Sequence, residues 1–382
     1  MNILLTGGRA PATLDLARAF HRAGHKVYVA ESLRHHLCRS SRAVTRNFAI
    51  PAARQRTEDF IRAIAEIVKA EHIDVLIPTC EEVFYVARGR EQIPCRVFVE
   101  PIERLDILHN KLKFSRQAAA YGLRVPDTRL PSGEGDLAEA FAELPDLVLK
   151  PVYSRFASHT LVKPSLERAQ VALRAASSRA WVAQPFLPGR QICTYSICHD
   201  GRVTAHTAYA TDFTAGQGAT ILFRHLEQAA TMSWVERFVE CFEFTGQIAF
   251  DFIEGADGTV YALECNPRAT SGVHLLADSP EFVAAFLNPD APLVTPPAGA
   301  PAKQLAAAML VYGLPASLRS RRFATWLAAF GSSRDVVFDR RDPLPAVLQL
   351  RSILEYLALA RAKGITALQA STYDIEWNGE RG

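Results

Sequence analysis

The stretch Gln247–Gly272, QIAFDFIEGADGTVYALECNPRATSG, decides how this chain is read. Its first apolar run is Ile248-Ala249-Phe250-Asp251-Phe252-Ile253, and its second is Thr259-Val260-Tyr261-Ala262-Leu263-Glu264-Cys265-Asn266. Between them, Glu254-Gly255-Ala256-Asp257-Gly258 has the Gly and Asp content of a hairpin loop. Strand side chains alternate faces. One face is therefore expected to be core, with Ile248, Phe250, Phe252, Tyr261, Leu263 and Cys265, and the other to carry Asp251, Glu264 and Asn266. A simple register sets Asp251 opposite Ala262 and makes Glu264 its diagonal neighbour, roughly 7–8 Å away. Two carboxylates and an amide then point the same way, with no lysine on the hairpin. That donor set suits a hard cation such as Mg²⁺, which takes oxygen ligands and fills its shell with phosphates and water. Arg268, two residues past Asn266, adds a guanidinium fork for phosphate or carboxylate.

Working outward, the rest of the chain is that of a globular protein. With 382 residues, 49% of them hydrophobic, it is long enough for two or three cored domains. A net charge of +3, without basic runs interleaved with aromatics, argues against a nucleic-acid partner. No apolar run reaches membrane-spanning length, and Ile3-Leu4-Leu5 is too short for a signal peptide. Seven cysteines without CxxC spacing read as thiols in a reducing, cytoplasmic setting. Cys198-His199-Asp200 has a chemical look, but Gly201 makes it the turn of a hairpin.

The first hundred residues alternate strands and helices. Asn2–Thr6, Lys26–Ala30, Phe48–Ile50 and Val75–Ile77 are expected strands, with helices through Leu14–Phe20 and Phe60–Val68, a doubly wound parallel arrangement. Gly7-Gly8-Arg9-Ala10-Pro11-Ala12 lacks the G-x-G-x-x-G spacing of a dinucleotide site, which argues against an oxidoreductase. Glu81 and Glu82, after the Val75–Ile77 strand, read as first-turn acids of a helix.

Further along, Asn110-Lys111 opens a helix that Gly122 stops before Pro126, and Lys111 read alone is a surface lysine. Asp146-Leu147-Val148-Leu149-Lys150-Pro151 is an apolar strand with a lysine at its tip, which calls for an anionic partner. Trp181–Gln191 is a strand breaking into a Pro/Gly turn, and Arg224 follows another apolar strand.

In this order, Lys111, Lys150, the 184–191 turn, Asp251, and Glu264-Cys265-Asn266-Pro267-Arg268 resemble the ATP-grasp ligases, in particular their carbamoyl-phosphate-synthase-like branch. The resemblance covers about residues 1–290. It implies a mixed α/β and α+β fold: a Rossmann-like N-terminal domain (1–109), a small lobe (110–190), a large lobe with the metal site (191–290) and a mainly helical C-terminal extension (291–382). It implies ATP and Mg²⁺ as cofactors, with Asp251, Glu264 and Asn266 as metal ligands and Lys111, Lys150 and Arg224 at the phosphates. The hinge Gln184, Pro185, Phe186 and Leu187 would hold adenine, and Gln191 would take the ribose in place of the family's acid. Arg268 and Lys150 would offset charge on the transferred phosphoryl group. Two departures stand out: Asn110 replaces an Asp, and the 152–159 flap lacks glycine. The implied reaction activates a small-molecule carboxylate as an acyl phosphate and joins it to an amine, releasing ADP and phosphate. Carboxylation through carboxyphosphate and a non-catalytic nucleotide sensor are the alternatives. The C-terminal helices Phe323–Phe330 and Leu344–Ala362 suit core packing, a homodimer face or closure of the acceptor pocket.

Overall fold

The computed structural model describes residues 1–144, 146–155, 159–175, 180–216 and 218–380. Of the expected flap, residues 156–158 lie outside the described residues, as does Gln217 of the Gly loop at 214–219.

The chain opens with β1 (Asn2–Thr6), α1 (Pro11–Arg22), β2 (Lys26–Glu31), β3 (Arg46–Ala49), α2 (Thr57–Ala70), β4 (Val75–Ile77), α3 (Val83–Arg88) and β5 (Arg96–Val97). The strands form one parallel sheet in the order β3-β2-β1-β4-β5. Because β1 is buried on both faces, its run is apolar without alternation. Ile3 and Leu5 face α1, while Leu4 faces Phe60, Ile61 and Ile64 of α2. The third strand is Arg46–Ala49, shifted two residues towards the N-terminus from the expected Phe48–Ile50 at its start and one at its end.

Two helices, α4 (Ile102–His109) and α5 (Lys111–Ala120), lead into the small lobe. It comprises α6 (Glu134–Glu143), β6 (Leu147–Pro151), β7 (Leu161–Val162), α7 (Leu166–Ala175) and β8 (Trp181–Pro185), with an antiparallel sheet ordered β7-β6-β8. The large lobe runs through β9 (Arg190–His199), β10 (Arg202–Ala210), β11 (Thr214–Ala215), β12 (Ala219–Thr220), β13 (Leu222–Phe223), β14 (His225–Leu226), α8 (Ala229–Phe242), β15 (Gly246–Glu254) and β16 (Val260–Asn266). Its main sheet is antiparallel, ordered β14-β10-β9-β15-β16, and Trp234, Phe238 and Phe242 of α8 cover one face. The β9–β10 hairpin turns at Asp200 and Gly201, both at positive φ (45° and 83°), so Cys198 and His199 are the last paired residues of β9 and Asp200 opens the turn.

The remainder is α9 (Val273–Leu276), α10 (Phe282–Leu287), β17 (Lys303–Gln304), α11 (Ala306–Ala308), a π-helical turn (Met309–Gly313), α12 (Leu314–Arg319), α13 (Phe323–Ser332), β18 (Arg334–Asp335), α14 (Leu344–Lys363) and α15 (Ala367–Ala370). Val273, Leu276, Phe282 and Phe286 of α9 and α10 pack on α1, so this part of the chain shares a core with the first sheet. Buried guanidinium groups fasten the C-terminal region to that sheet. Arg9 pairs with Glu31 and Asp374, each at 2.5 Å, and Arg18 pairs with Asp342 at 3.0 Å and donates to the carbonyls of Val336 and Val337. Such charges are tolerated inside because each is paired and hydrogen-bonded. Among the described residues no helix is long and apolar enough to cross a membrane.

His206 of β10 is buried beside Ser196, 2.9 Å away, and burial pushes its pKa down to about 3. The ordinary value is 6.5, so this neutral histidine contributes stability that is present above pH 6.5 and lost as pH falls from there towards 3. His206→Gln keeps a hydrogen-bonding side chain that does not titrate. Its urea-measured stability is expected to fall less between pH 7 and pH 5 than that of the wild type, by about 2 kcal/mol. Equal losses in the two proteins would contradict this role.

Candidate active site

The hairpin expected over 248–266 is present, with a different register from the simple one. Asp251 lies directly opposite Glu264, and a β-bulge between Asp251 and Phe252 returns Phe252 to Ala262. The extra residue moves the core face of β16. Val260, Ala262 and Cys265 join the core, while Tyr261 and Leu263, expected there, are only partly buried. The bulge thus brings the two acids from diagonal to adjacent positions. On its other side Asp251 pairs with Cys193 of β9.

A lysine absent from the hairpin reaches it from elsewhere. Asn110 caps α5, its side-chain oxygen accepting from the N–H groups of Leu112 and Lys113, both at 3.1 Å. Lys111, the first helical residue, is therefore fixed against β16 and is only 3% exposed, which corrects the surface reading. Its Nζ lies 3.4 Å from Glu264 Oε2 and donates to Ser154 Oγ at 3.1 Å. Lys150, at the tip of β6, lies within electrostatic reach of Glu264, Lys111 and Asp251. Burial pulls the Lys150 ammonium below its usual pKa, with Glu264 opposing. For Glu264, burial works upward, but Lys111 and then Lys150 overcome it and hold the carboxylate well below its usual range. Asp251 moves the other way: burial first, then the neighbouring Glu264 charge, push it up. Two facing carboxylates thus lie beside two lysines, which places oxygen donors and phosphate-binding cations in one cluster.

Asn266 is the third oxygen donor of this face; its Oδ1 accepts from Arg268 Nη2 at 3.2 Å. Among the described residues no cluster of three or more His, Cys, Asp or Glu side chains is placed to hold a metal. Asp251, Glu264 and Asn266 put three oxygen-bearing side chains on this face.

The 184–191 turn joins the two lobes. Gln184 is buried and donates to Thr128 Oγ1 at 2.9 Å. Pro185 ends β8, and Leu187 is half-buried. Phe186 N–H donates to the Asp146 carbonyl at 2.8 Å, so that donor is engaged within the protein, and its ring lies under Lys163 Nζ at 4.3 Å. A Cβ on Gly189 would come within 2.2 Å of the Glu254 carbonyl oxygen, so only glycine allows the hinge to lie this close to β15. Gln191 pairs with Ile253 across β9 and β15. Arg224 does not join this group. It is exposed, and it lines a separate hollow of about 520 Å³ with His225, Ala298, Gly299, Ala300 and Ala302.

Beyond Arg268 a larger cavity of about 550 Å³ opens between the first sheet and the C-terminal helices. Glu81 lies on its wall, 2% exposed, ion-paired with Arg155 and 3.7 Å from Arg268. Burial works to raise its pKa, but Arg155 leads the charges that hold it below the usual carboxylate value. Glu82 is equally buried and accepts from Thr6 Oγ1 at 2.6 Å and from two backbone N–H groups. Neither acid is the first-turn helix residue expected, because α3 begins at Val83 with Glu82 at its N-cap. The hint in the sequence was a pair of acids at the C-terminal end of a buried parallel strand, where such sheets present ligands. Arg155 also binds Glu376 at 2.8 Å and the Trp377 carbonyl at 2.8 Å, which ties the start of the flap to the C-terminal tail. His159 is exposed.

Comparison with known proteins agrees with this architecture. Residues 108–272 match the family model described as the ATP-grasp domain. This segment of the chain is therefore an ATP-grasp domain, the class that the two lobes and their facing lysines and acids describe. Solved structures share the fold at low identity. N5-carboxyaminoimidazole ribonucleotide synthetase from Thermus thermophilus is 17% identical, with a TM-score of 0.61 over 79% of this chain and 82% of that one. L-amino acid ligase from Bacillus licheniformis is 16% identical, with a TM-score of 0.57 over 72% and 69%. The biotin carboxylase domain of 2-oxoglutarate carboxylase from Hydrogenobacter thermophilus, a complex with MgADP and bicarbonate, is 11% identical, with a TM-score of 0.60 over 75% and 69%. No curated protein sequence matches the chain.

Proposed function

We propose that this protein is an ADP-forming, ATP-dependent ligase that activates a carboxylate as an acyl phosphate and joins it to an amine. The observation that carries the reading is the approach of Lys111 and Lys150 to the Asp251/Glu264 pair, with Arg268 leading from that cluster into the 550 Å³ cavity. The groups at one end suit the terminal phosphates of ATP, and the cavity suits an acceptor. The solved structures of the same fold include an L-amino acid ligase, an amide-forming precedent.

In this reading Asp251, Glu264 and Asn266 would hold Mg²⁺, whose charge neutralises phosphate oxygens when it is bound. Lys111 and Lys150 bind and orient the phosphates, and the 184–187 hinge with Gln191 takes the nucleoside. Arg268 steadies the acceptor carboxylate as its oxygen takes the phosphoryl group. The amine nitrogen then attacks the acyl carbon. The C–N bond forms, the C–O bond to phosphate breaks, and phosphate leaves with the electron pair.

The test is an ADP-release screen of carboxylic acids against amines, with bicarbonate as a separate arm. ADP release that needs both an acid and an amine supports the ligase reading. Release with bicarbonate alone, or with no acid, contradicts it.

A further inference from the structure

Resting on the ligase reading above, we infer that the activated acid carries a bulky apolar body, which fills the cavity beyond Arg268 while its carboxylate lies at the guanidinium. The volume of about 550 Å³ is that of a site for a sizeable organic molecule. Bicarbonate would leave it almost empty.

The cavity wall combines charged and apolar side chains. Next to the β15–β16 hairpin, Glu81 is shared by Arg268, 3.7 Å away, and by Arg155, which also pairs with Glu376. The other charged wall residues are satisfied internally: Arg9 by Glu31 and Asp374, and Asp335 by the N–H groups of Ala306 and Phe338. The Arg268 guanidinium shares its nearest carboxylate with Arg155, so it keeps positive charge for a ligand anion and disfavours an ammonium group.

The walls also include Leu37, Leu305, Val311, Ile353, Leu368 and Ile375. Of these, Val311, Ile353 and Leu368 are also 64%, 40% and 38% exposed, so apolar side chains extend to the mouth. An apolar body seated there would cover them. Five of the six lie at 305–375, outside the matched ATP-grasp segment 108–272. The C-terminal region thus supplies the part of the pocket that selects the acid.

The experiment is calorimetric titration of the full chain, with Mg²⁺ and ADP present, using octanoate, acetate, succinate and octylamine. A parallel titration of Mg·ADP alone reports the nucleotide site. Octanoate is expected to bind at least tenfold tighter than acetate or succinate, because its chain leaves water. Ala307→Phe, which narrows the cavity wall, is expected to weaken octanoate at least tenfold. If that variant does not fold, as judged by circular dichroism, Val311→Asp at the exposed mouth is expected to show the same loss. Octanoate binding no tighter than acetate, or unchanged in the folded variant, overturns the inference. So does octylamine taking the cavity in its place. Should Mg·ADP fail to bind while octanoate shows the expected pattern, the ligase reading falls and the cavity assignment stands; Mg·ADP binding without any preference among the acids gives the reverse.

Discussion

Glu264→Gln is expected to lower Mg²⁺-dependent ADP release at least hundredfold without unfolding the protein. Two effects act together. The substitution removes one of the two carboxylates that face each other across β15 and β16, and charge neutralisation at the phosphates is most of phosphoryl-transfer catalysis. It also takes the charged partner from Lys111, which is 3.4 Å away and buried. Glutamine is nearly isosteric, so the hairpin and its bulge keep their packing. Asn266→Ala is expected to have a smaller effect of the same kind, because a neutral donor is lost. Steady-state turnover near the wild-type rate in purified Glu264→Gln would contradict the metal assignment.

Lys150→Ala and Lys111→Ala are each expected to reduce turnover by about 10²–10³. From sequence alone Lys150, at a strand tip, is expected to matter much more than Lys111, on a helix start. The structure brings the two closer in importance. Lys111 is held by the Asn110 cap, by Ser154 and by Glu264. Removing it leaves Glu264 without its contacting cation, so Lys111→Ala is also expected to cost stability, while Lys150→Ala mainly weakens nucleotide affinity. Kinetics and urea melts of both variants separate the two roles. Ordinary activity and ATP affinity in Lys150→Ala would remove the small lobe from the account.

The parts of the fold legible in sequence were those in which local pattern and tertiary burial agree. The doubly buried run at Ile3–Leu5 and the alternating run at Ile248–Ile253 both announce their strands. The register of the second hairpin was not legible. Six residues from Val260 to Cys265 alternate as well with Tyr261 and Leu263 inward as with Val260 and Ala262 inward, and packing against α8 decides between them. Lys111 misled for a related reason: nothing in its helix shows that β16 passes beside it. The cavity was the least legible feature. Glu81, Arg155, Arg268 and Ile353 are far apart in the chain, and only the docking of the C-terminal region by Arg9 and Arg18 brings its walls together.

The central claim is transfer of the terminal phosphoryl group to a carboxylate, and the fate of a carboxylate oxygen tests it most directly. Once an acid and amine pair is found, the acid is supplied labelled with heavy oxygen and the products are weighed. The account predicts ADP and inorganic phosphate carrying one labelled oxygen, because the C–O bond that breaks when the amine attacks leaves that oxygen on phosphorus. Labelled AMP with pyrophosphate, or phosphate with no label, would contradict it.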